Sequence, residues 1–473
     1  MYQPRGMAVT EVGDLDVITH NNQIHLFHLT LPNHDIVTHA ISDDGFTWTE
    51  APFAIHTGDP GDCDDDMIWT MHTVTHPSGK GFHMYYTGCA RAERGNFQRV
   101  ALAFSDDLIR FTKHDNNPIL EPEPPHYNND LGLVGIVSFR DPYVYIEDGT
   151  WHMFVSGRTT SGPRFRRGCV VHATSDDGIK WELQKPLYAP NSHEDLEVIS
   201  MIKMEGRYYM FFHDFKGNTH YRISESLEGP WRAPLRQFLL PTRNWVFRFC
   251  QWKGQTLIFN DLRATCDWPR RQAAAGCCVV PPPKQVVVQD NGELAFRTFD
   301  GWKNYYNGNS QSLKDHSASV HGQDLQLQEP TVDDFILEGT VTLDEGHGAG
   351  LLLRSDEGVE TALWLRLDYA QQRLVLHKHT PFDSAQDRIK LRVTELQSVH
   401  AKLDYGKPIH VRVLACKQYI EVSLDDVVYL CDLTYAAKEG MVGSFIEDGN
   451  GAWQSMTVQP LNAPWDVWKG TGK

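Results

Sequence analysis

The chain has no long apolar run. No stretch approaches the roughly 18 residues that a membrane-spanning helix needs, so no membrane partner is expected. Its first residues, MYQPRGMAVTEVGDLDV, lack the basic-then-apolar pattern of a secretory signal, which predicts a cytoplasmic protein. Basic side chains are in deficit, 44 Lys and Arg against 61 Asp and Glu, for a net charge of −17. Such a surface repels phosphate backbones and argues against nucleic acid as a partner. The nine cysteines form no CxxC pair, and no HExxH occurs, so neither a disulfide framework nor a metal site is expected. The cysteines read as buried free thiols of a reducing compartment. Helical periodicity is scarce as well.

What is present is short, alternating and aromatic-rich, bounded by Gly, Asp, Asn and Pro, which predicts an all-β chain. At 473 residues, with 41% hydrophobic and 22% charged side chains, the chain is long enough for two globular domains. The strands repeat. QIHLFH (23–28), GFHMYYTG (81–88), TWHMFVSG (150–157), RYYMFFHD (207–214) and QTLIFND (255–261) are copies of one aromatic strand. After each of the first four comes a polar turn closed by an aromatic: SDDGFTW (42–48), SDDLIRF (105–111), SDDGIKW (175–181) and SESLEGPW (224–231). Each unit can bury its faces only against its neighbours, so the copies must close into a ring. Residues 1–300 are therefore predicted to form a five-bladed β-propeller of four-stranded blades. The turn's aromatic should pack between blades. The polar, Gly/Ser/Asn-rich stretch 301–324 reads as a linker. Alternating strands resume over 325–473 and predict a C-terminal β-sandwich of the concanavalin or jelly-roll kind.

In a propeller, residues near one end of the innermost strands converge on the axis. Counting back from Leu26, Met84, Met153, Met210 and Ile258 reaches Asp14, His72, Asp141, Glu197 and Val246. Three carboxylates thus fall at one equivalent place in blades one, three and four. The fourth blade is one residue longer here, which a longer turn could absorb. Asp16 competes with Asp14, and Glu194 and Asp195 compete with Glu197. Crowded carboxylates split their pKa values, so one can donate a proton while another attacks, which is the requirement of glycoside cleavage. Metal ligation is the rival use of three acids. Asp64, Asp65 and Asp66 precede a blade-two strand and would place Asp66 and Trp69 at the pocket mouth. The basic islands RFRRG (164–168) and PRRQ (269–272) read as surface loops.

FRDPYVYIEDGTWHMF (139–154) and EVISMIKMEGRYYMFF (197–212) resemble the Arg-Asp-Pro and Glu-Cys-Pro segments of family 32 glycoside hydrolases. QRVALAFSDDLIRFTKHDNNPIL (98–120) and VVPPPKQVVVQDNGEL (279–294) resemble the same family's second and fifth blades. The resemblance implies a β-fructofuranosidase-like enzyme hydrolysing O-glycosyl bonds, with a carbohydrate substrate and no cofactor. It implies Asp14 as nucleophile, Asp141 as transition-state stabiliser and Glu197 as acid/base. Arg140 would orient a sugar hydroxyl, and His28, Trp69 and Asp66 would contact substrate. The family's Asn-Asp-Pro-Asn-Gly motif is reduced to the Asp of GDLDVITHNNQIHLF (13–27), and Val198-Ile199 stands where Cys-Pro would. Asp14-Leu15-Asp16-Val17-Ile18 is equally similar to family 43, which implies an inverting arabinosidase or xylosidase as the alternative. A sugar-binding propeller without chemistry is the third reading.

Overall fold

The computed structural model describes residues 1–2, 11–263, 278–384, 388–434 and 438–465. Cys266, Cys277 and the PRRQ island lie outside them. The described residues are almost wholly strand and turn, with two short 3-10 turns at Arg91–Glu93 and Asp300–Tyr305. They form two compact units, the first running essentially to Leu294 and the second starting at Ala295.

The first unit is the five-bladed propeller. Its inner strands are Glu11–His20, Met67–Thr75, Phe139–Glu147, Glu197–Met204 and Asn244–Trp252. Each packs beside the next, and the fifth packs beside the first, which closes the ring. The first three blades have four antiparallel strands. The fourth has three, extended by a bridge between Ile223 and Arg232, so it falls short of the expected four. The second strands are the aromatic repeats. Phe82–Cys89 is buried along its whole length, because a second strand is covered on both faces by neighbouring blades. Burial of each large apolar side chain there contributes roughly 1.5–3 kcal/mol.

Hairpin chemistry sets the registers. Asn21-Asn22, Asp148-Gly149, Glu205-Gly206 and Lys253-Gly254 all have positive φ and form two-residue turns between inner and second strands. Both residues of a type I′ turn need that conformation, which Asn, Asp and Gly adopt most readily. The polar turns between outer strands are self-capping: Asp44, Asp107 and Asp177 each accept two backbone N–H bonds from residues two and three positions on. Their closing aromatics reach the preceding blade, Trp48 on Phe259, Phe111 on Phe27 and Trp181 on Tyr85, at centroid separations of 6.1, 5.6 and 5.7 Å. An antiparallel bridge from Tyr2 to Val280 joins the two ends of the unit.

One more layer spans the ring. Asp16, His72, Tyr143, Ser200 and Arg248, one from each inner strand, form a connected buried group. Arg248 Nε lies 3.6 Å from Asp16, its guanidinium covers Tyr143, and it donates to Ser200 Oγ. His72 stacks on Tyr143 at 3.9 Å.

The second unit is a β-sandwich built from one strongly curved sheet. Its long strand Gly440–Pro460 pairs with Phe335–Glu345, Gly348–Ser355 and His316–Val332. Leu337, Leu351, Leu365, Val411, Ile446 and Trp453 belong to its core. The expected linker 301–324 therefore holds the first half of a strand. An edge strand is paired through backbone groups and keeps one face in water, so its polar composition reads as loop.

Candidate active site

The inner strands do not run straight. In every blade the ladder between inner and second strand slips at the same level: between Val12 and Leu15, Trp69 and Met71, Arg140 and Tyr143, Glu197 and Ser200, and Trp245 and Arg248. These are β-bulges, which kink a strand and re-aim its side chains. Asp141, Val198 and Val246 occupy the matching bulge position in blades three to five, with φ of 60°, 48° and 54°. Positive φ in a β-branched residue is uncommon and persists only where surrounding structure imposes it.

The bulges correct the counting argument. Asp14, Asp141 and Glu197 are not at one register position. In the ladder Glu197 matches Arg140, one step before the bulge, whereas Asp141 lies within it and Asp14 one step beyond Gly13. The blade-four turn has the same two-residue length as that of blade three, so the extra residue is a register difference and not a longer turn. In blade two the bulged residue is Thr70, not His72, which belongs to the buried layer below.

The three acids nonetheless share one network. Thr70 Oγ1 donates to Asp14 Oδ2. Asp141 accepts the Val198 N–H at 2.9 Å, and its own N–H donates to Thr87 Oγ1 at 2.9 Å. Arg140 Nη2 reaches Glu197 Oε1 at 2.7 Å and Asp195 Oδ2 at 2.9 Å, while its Nε lies 3.7 Å from Asp141 Oδ2. Gln98 Oε1 accepts from Arg140 Nη1 at 3.2 Å. Arg158 grips Asp195 through Nε and Nη2 at 2.7 and 3.1 Å and also meets Glu194.

Burial, opposed by Arg140 and reinforced by Asp141, pushes the Glu197 carboxyl up to about 7. Asp141 is also raised, by burial first; Arg140 counters this and the Asp14 charge adds to it. Burial acts to raise Asp195 too, but Arg140 and Arg158 hold it below the usual carboxylate range. Glu197 is therefore the carboxyl of this group poised to hold a proton near neutrality, and Asp195 is the permanent anion that fixes the arginines.

Asp14 is half-buried, whereas Asp16 is fully buried, bound by the Thr73 N–H and facing Arg248. Asp16 thus belongs to the layer across the ring. Asp66 is half-buried, 3.8 Å from Arg91, and with Arg140 and Asp141 contributes to the field at Cys89. Trp69 adjoins Thr70 and lies 6.1 Å from the ring of His34, whose charged form Asp14 favours against burial. His28 is not brought to this group. It is fully buried, bonded to Leu29 O, Tyr2 and Thr38, so it is a core residue of blade one. Asp64 is equally structural, buried against Lys113 and Tyr86. Residues 164–166 of the RFRRG stretch lie in an exposed loop, as expected, whereas Arg167 is half-buried and Gly168 begins a buried strand. Thr70, Gln98 and Arg158 carry no motif and were not legible as site residues.

Residues 16–230 match the sequence model of the glycosyl hydrolases family 32 N-terminal domain. Those residues belong to that family. The family 32 match spans blades one to four. A fructan 1-exohydrolase from Aegilops speltoides is 30% identical over 159 residues, 32% of this chain and 24% of that protein. A levanase from Bacillus sp. (strain L7) is 28% identical over 170 residues, 33% of this chain and 17% of that protein. The aligned stretch is thus about a quarter or less of these relatives' length. Fructan 1-exohydrolase IIa from Cichorium intybus has a similar structure over 98% of this chain and 97% of its own, with a TM-score of 0.74 and 15% identity. Sucrose-6-phosphate hydrolase from Lactobacillus gasseri matches over 97% and 93%, with a TM-score of 0.69 and 16% identity. At those identities the likeness concerns the fold. Within this family 32 domain, Val198 and Ile199 sit inside the blade-four bulge, where the Val198 N–H binds Asp141.

Proposed function

We propose that the chain is a retaining glycosidase that removes fructosyl residues from fructosides. The observation that carries this reading is the continuous arrangement Asp14–Thr70, Asp141 and Arg140–Glu197 on inner strands of four consecutive blades. Glu197, raised to about 7, holds a proton that it gives to the glycosidic oxygen as the bond breaks. Asp14, oriented by Thr70, attacks the anomeric carbon from the other side and forms a glycosyl ester. Positive charge develops on the sugar in between. Asp141 and Asp14 repel one another beforehand, so that charge relieves them and is stabilised by both. Water, deprotonated by Glu197, then cleaves the ester and restores the configuration. None of these steps passes through a metal or cofactor. The relatives named above are a fructan 1-exohydrolase and a levanase, which supports fructosides over arabinosides. A reducing, intracellular setting is part of the proposal, supported by the free thiols Cys63, Cys89, Cys169, Cys250 and Cys416.

Sucrose, 1-kestose, inulin and levan, each followed by proton NMR during the first turnover minutes, test the reading. The expected product is β-configured fructose from at least one of them, and Asp14→Asn should abolish it. Inverted product, or hydrolysis confined to arabinosides and xylosides, would overturn it.

A further inference from the structure

Blade four holds a second cluster of chemistry-bearing side chains, apart from the acids above. His193 lies in the approach to the inner strand, Asp214 directly follows the second strand Arg207–His213, and His220 is on the third strand Thr219–Ser224. One ligand atom from each lies within 4.8 Å of the other two. His220 Nε2 is 2.8 Å from Asp214 Oδ2, and the two imidazoles meet edge to face with centroids 5.1 Å apart. We propose that His193, Asp214 and His220 form a binding site for a divalent transition-metal ion of the zinc class.

The donor set is two imidazoles and one carboxylate, which suits zinc and leaves a position for water. Zinc–ligand bonds of about 2.0 Å place ligand atoms roughly 3.3 Å apart, so closure needs a shift of about 1.5 Å at most. His193 is half-buried and supplies most of that movement, while Asp214 and His220, now hydrogen-bonded at 2.8 Å, need to part by only about 0.5 Å. The groups behind the ligands are those a metal site requires. Asp214 Oδ1 accepts the N–H groups of Lys216 and Asn218, which fixes the carboxylate, and Oδ2 faces His220 at 2.8 Å while also accepting from Asn218 Nδ2 at 3.2 Å. Ser192 Oγ holds His193 Nδ1 at 2.7 Å, leaving Nε2 as the ligating nitrogen. Gln237 holds His220 Nδ1 at 2.8 Å, and an amide flip converts that contact into acceptance of the Nδ1–H that a metal-bound imidazole carries. Arg222 is nearby and tempers affinity, though its Nε is committed to Tyr188 and its Nη1 to Tyr221 O.

The site would fasten the stretch that leads into Glu197. His193 is two residues before Asp195, the anion of both arginines, and Glu197 pairs in the ladder with His213, next to Asp214. Its role is to brace that strand, not to enter the chemistry. The idea rests on blade four's geometry alone and is independent of the substrate proposed above.

Full-length protein stripped with EDTA and titrated with ZnCl2 by calorimetry should bind one equivalent, and CoCl2 should give the visible absorption of a low-coordinate cobalt–imidazole site. His193→Gln removes a half-buried ligand and should keep the fold, yet weaken zinc at least tenfold. Gln237→Ala, behind a ligand, should weaken it about tenfold. The exposed His56→Gln is the control for incidental histidine binding and should match wild type. Zinc should raise the unfolding temperature of wild type by several degrees and leave that of His193→Gln unchanged. No stoichiometric binding by the wild type, or equal affinity in wild type and His193→Gln, would overturn the site.

Discussion

The surroundings of Glu197, the acid/base of the proposal above, set its affinity for a proton. Burial raises its acid to about 7, while Arg140 at 2.7 Å works in the opposite direction. A general acid must be protonated, so turnover should fall as pH rises through about 7. Arg140→Gln removes the charge that favours the carboxylate. The basic limb of the pH–rate profile should then move upward even as the maximal rate drops, and an unmoved limb would separate the two residues. The linkage sign agrees: a carboxyl raised on folding binds its proton more tightly in the native state, so its contribution to stability is present at acid pH and is lost as pH rises toward 7. Glu197→Gln should cost on the order of 10²–10⁴ on a natural fructoside, whose leaving alcohol needs the proton. The loss in bond cleavage should be much smaller on a nitrophenyl glycoside, which leaves unaided. Comparable losses on both would move the acid role to another carboxyl.

At the scale of the strand, the decisive device is the bulge. It sets Glu197, Asp141 and Asp14 at three adjacent ladder steps and still gathers them into one network, and it brings Thr70 onto Asp14. Counting residues back from Met153 and Met210 assumes a straight strand. It reached the three acids because each bulge adds the same one-residue excess, and it misplaced blade two because the connection from Thr75 to Phe82 there is six residues long where the other blades use two. The tight turns were legible, because Asn, Asp and Gly are what positive φ selects. Glu205 and Lys253 are the exceptions, both exposed with φ of 49° ahead of a glycine. Glu205→Asn should raise stability by roughly 0.5 kcal/mol without touching activity. A lowered melting temperature in calorimetry would count against the turn assignment.

The ring as a whole is tied together by the buried layer of Asp16, His72, Tyr143, Ser200 and Arg248, to which every blade contributes. Burial lifts Asp16 to about 7 although Arg248 and the Thr73 N–H pull it down. Arg248→Met would leave Asp16 without its counter-charge, which costs about 3–5 kcal/mol when the carboxyl is ionised. At pH 5 Asp16 can take up a proton, so the loss should be clearly smaller there than at pH 8. Thermal unfolding at the two pH values measures the difference, and an equal loss at both would show that the pair is not what couples the blades. The second unit, with its own core from Leu337 to Val458, should unfold with an unchanged transition in that variant.

The sequence by itself determined the all-β class, the five repeats and the turn chemistry, and it singled out three acids that the fold gathers into one network. Those properties depend on alternation, on positive φ and on residue type within a few positions, all local. Tertiary structure alone decided the rest. Arg158 meets Asp195 across 37 residues, Thr70 meets Asp14 across 56 and Arg140 meets Glu197 across 57. Packing of each blade against the next makes those separations short in space, and no pattern along the chain encodes a contact between blades. The same physics separated Asp14 from Asp16, two residues apart on one strand, by giving one a half-open position beside Thr70 and the other a sealed place against Arg248.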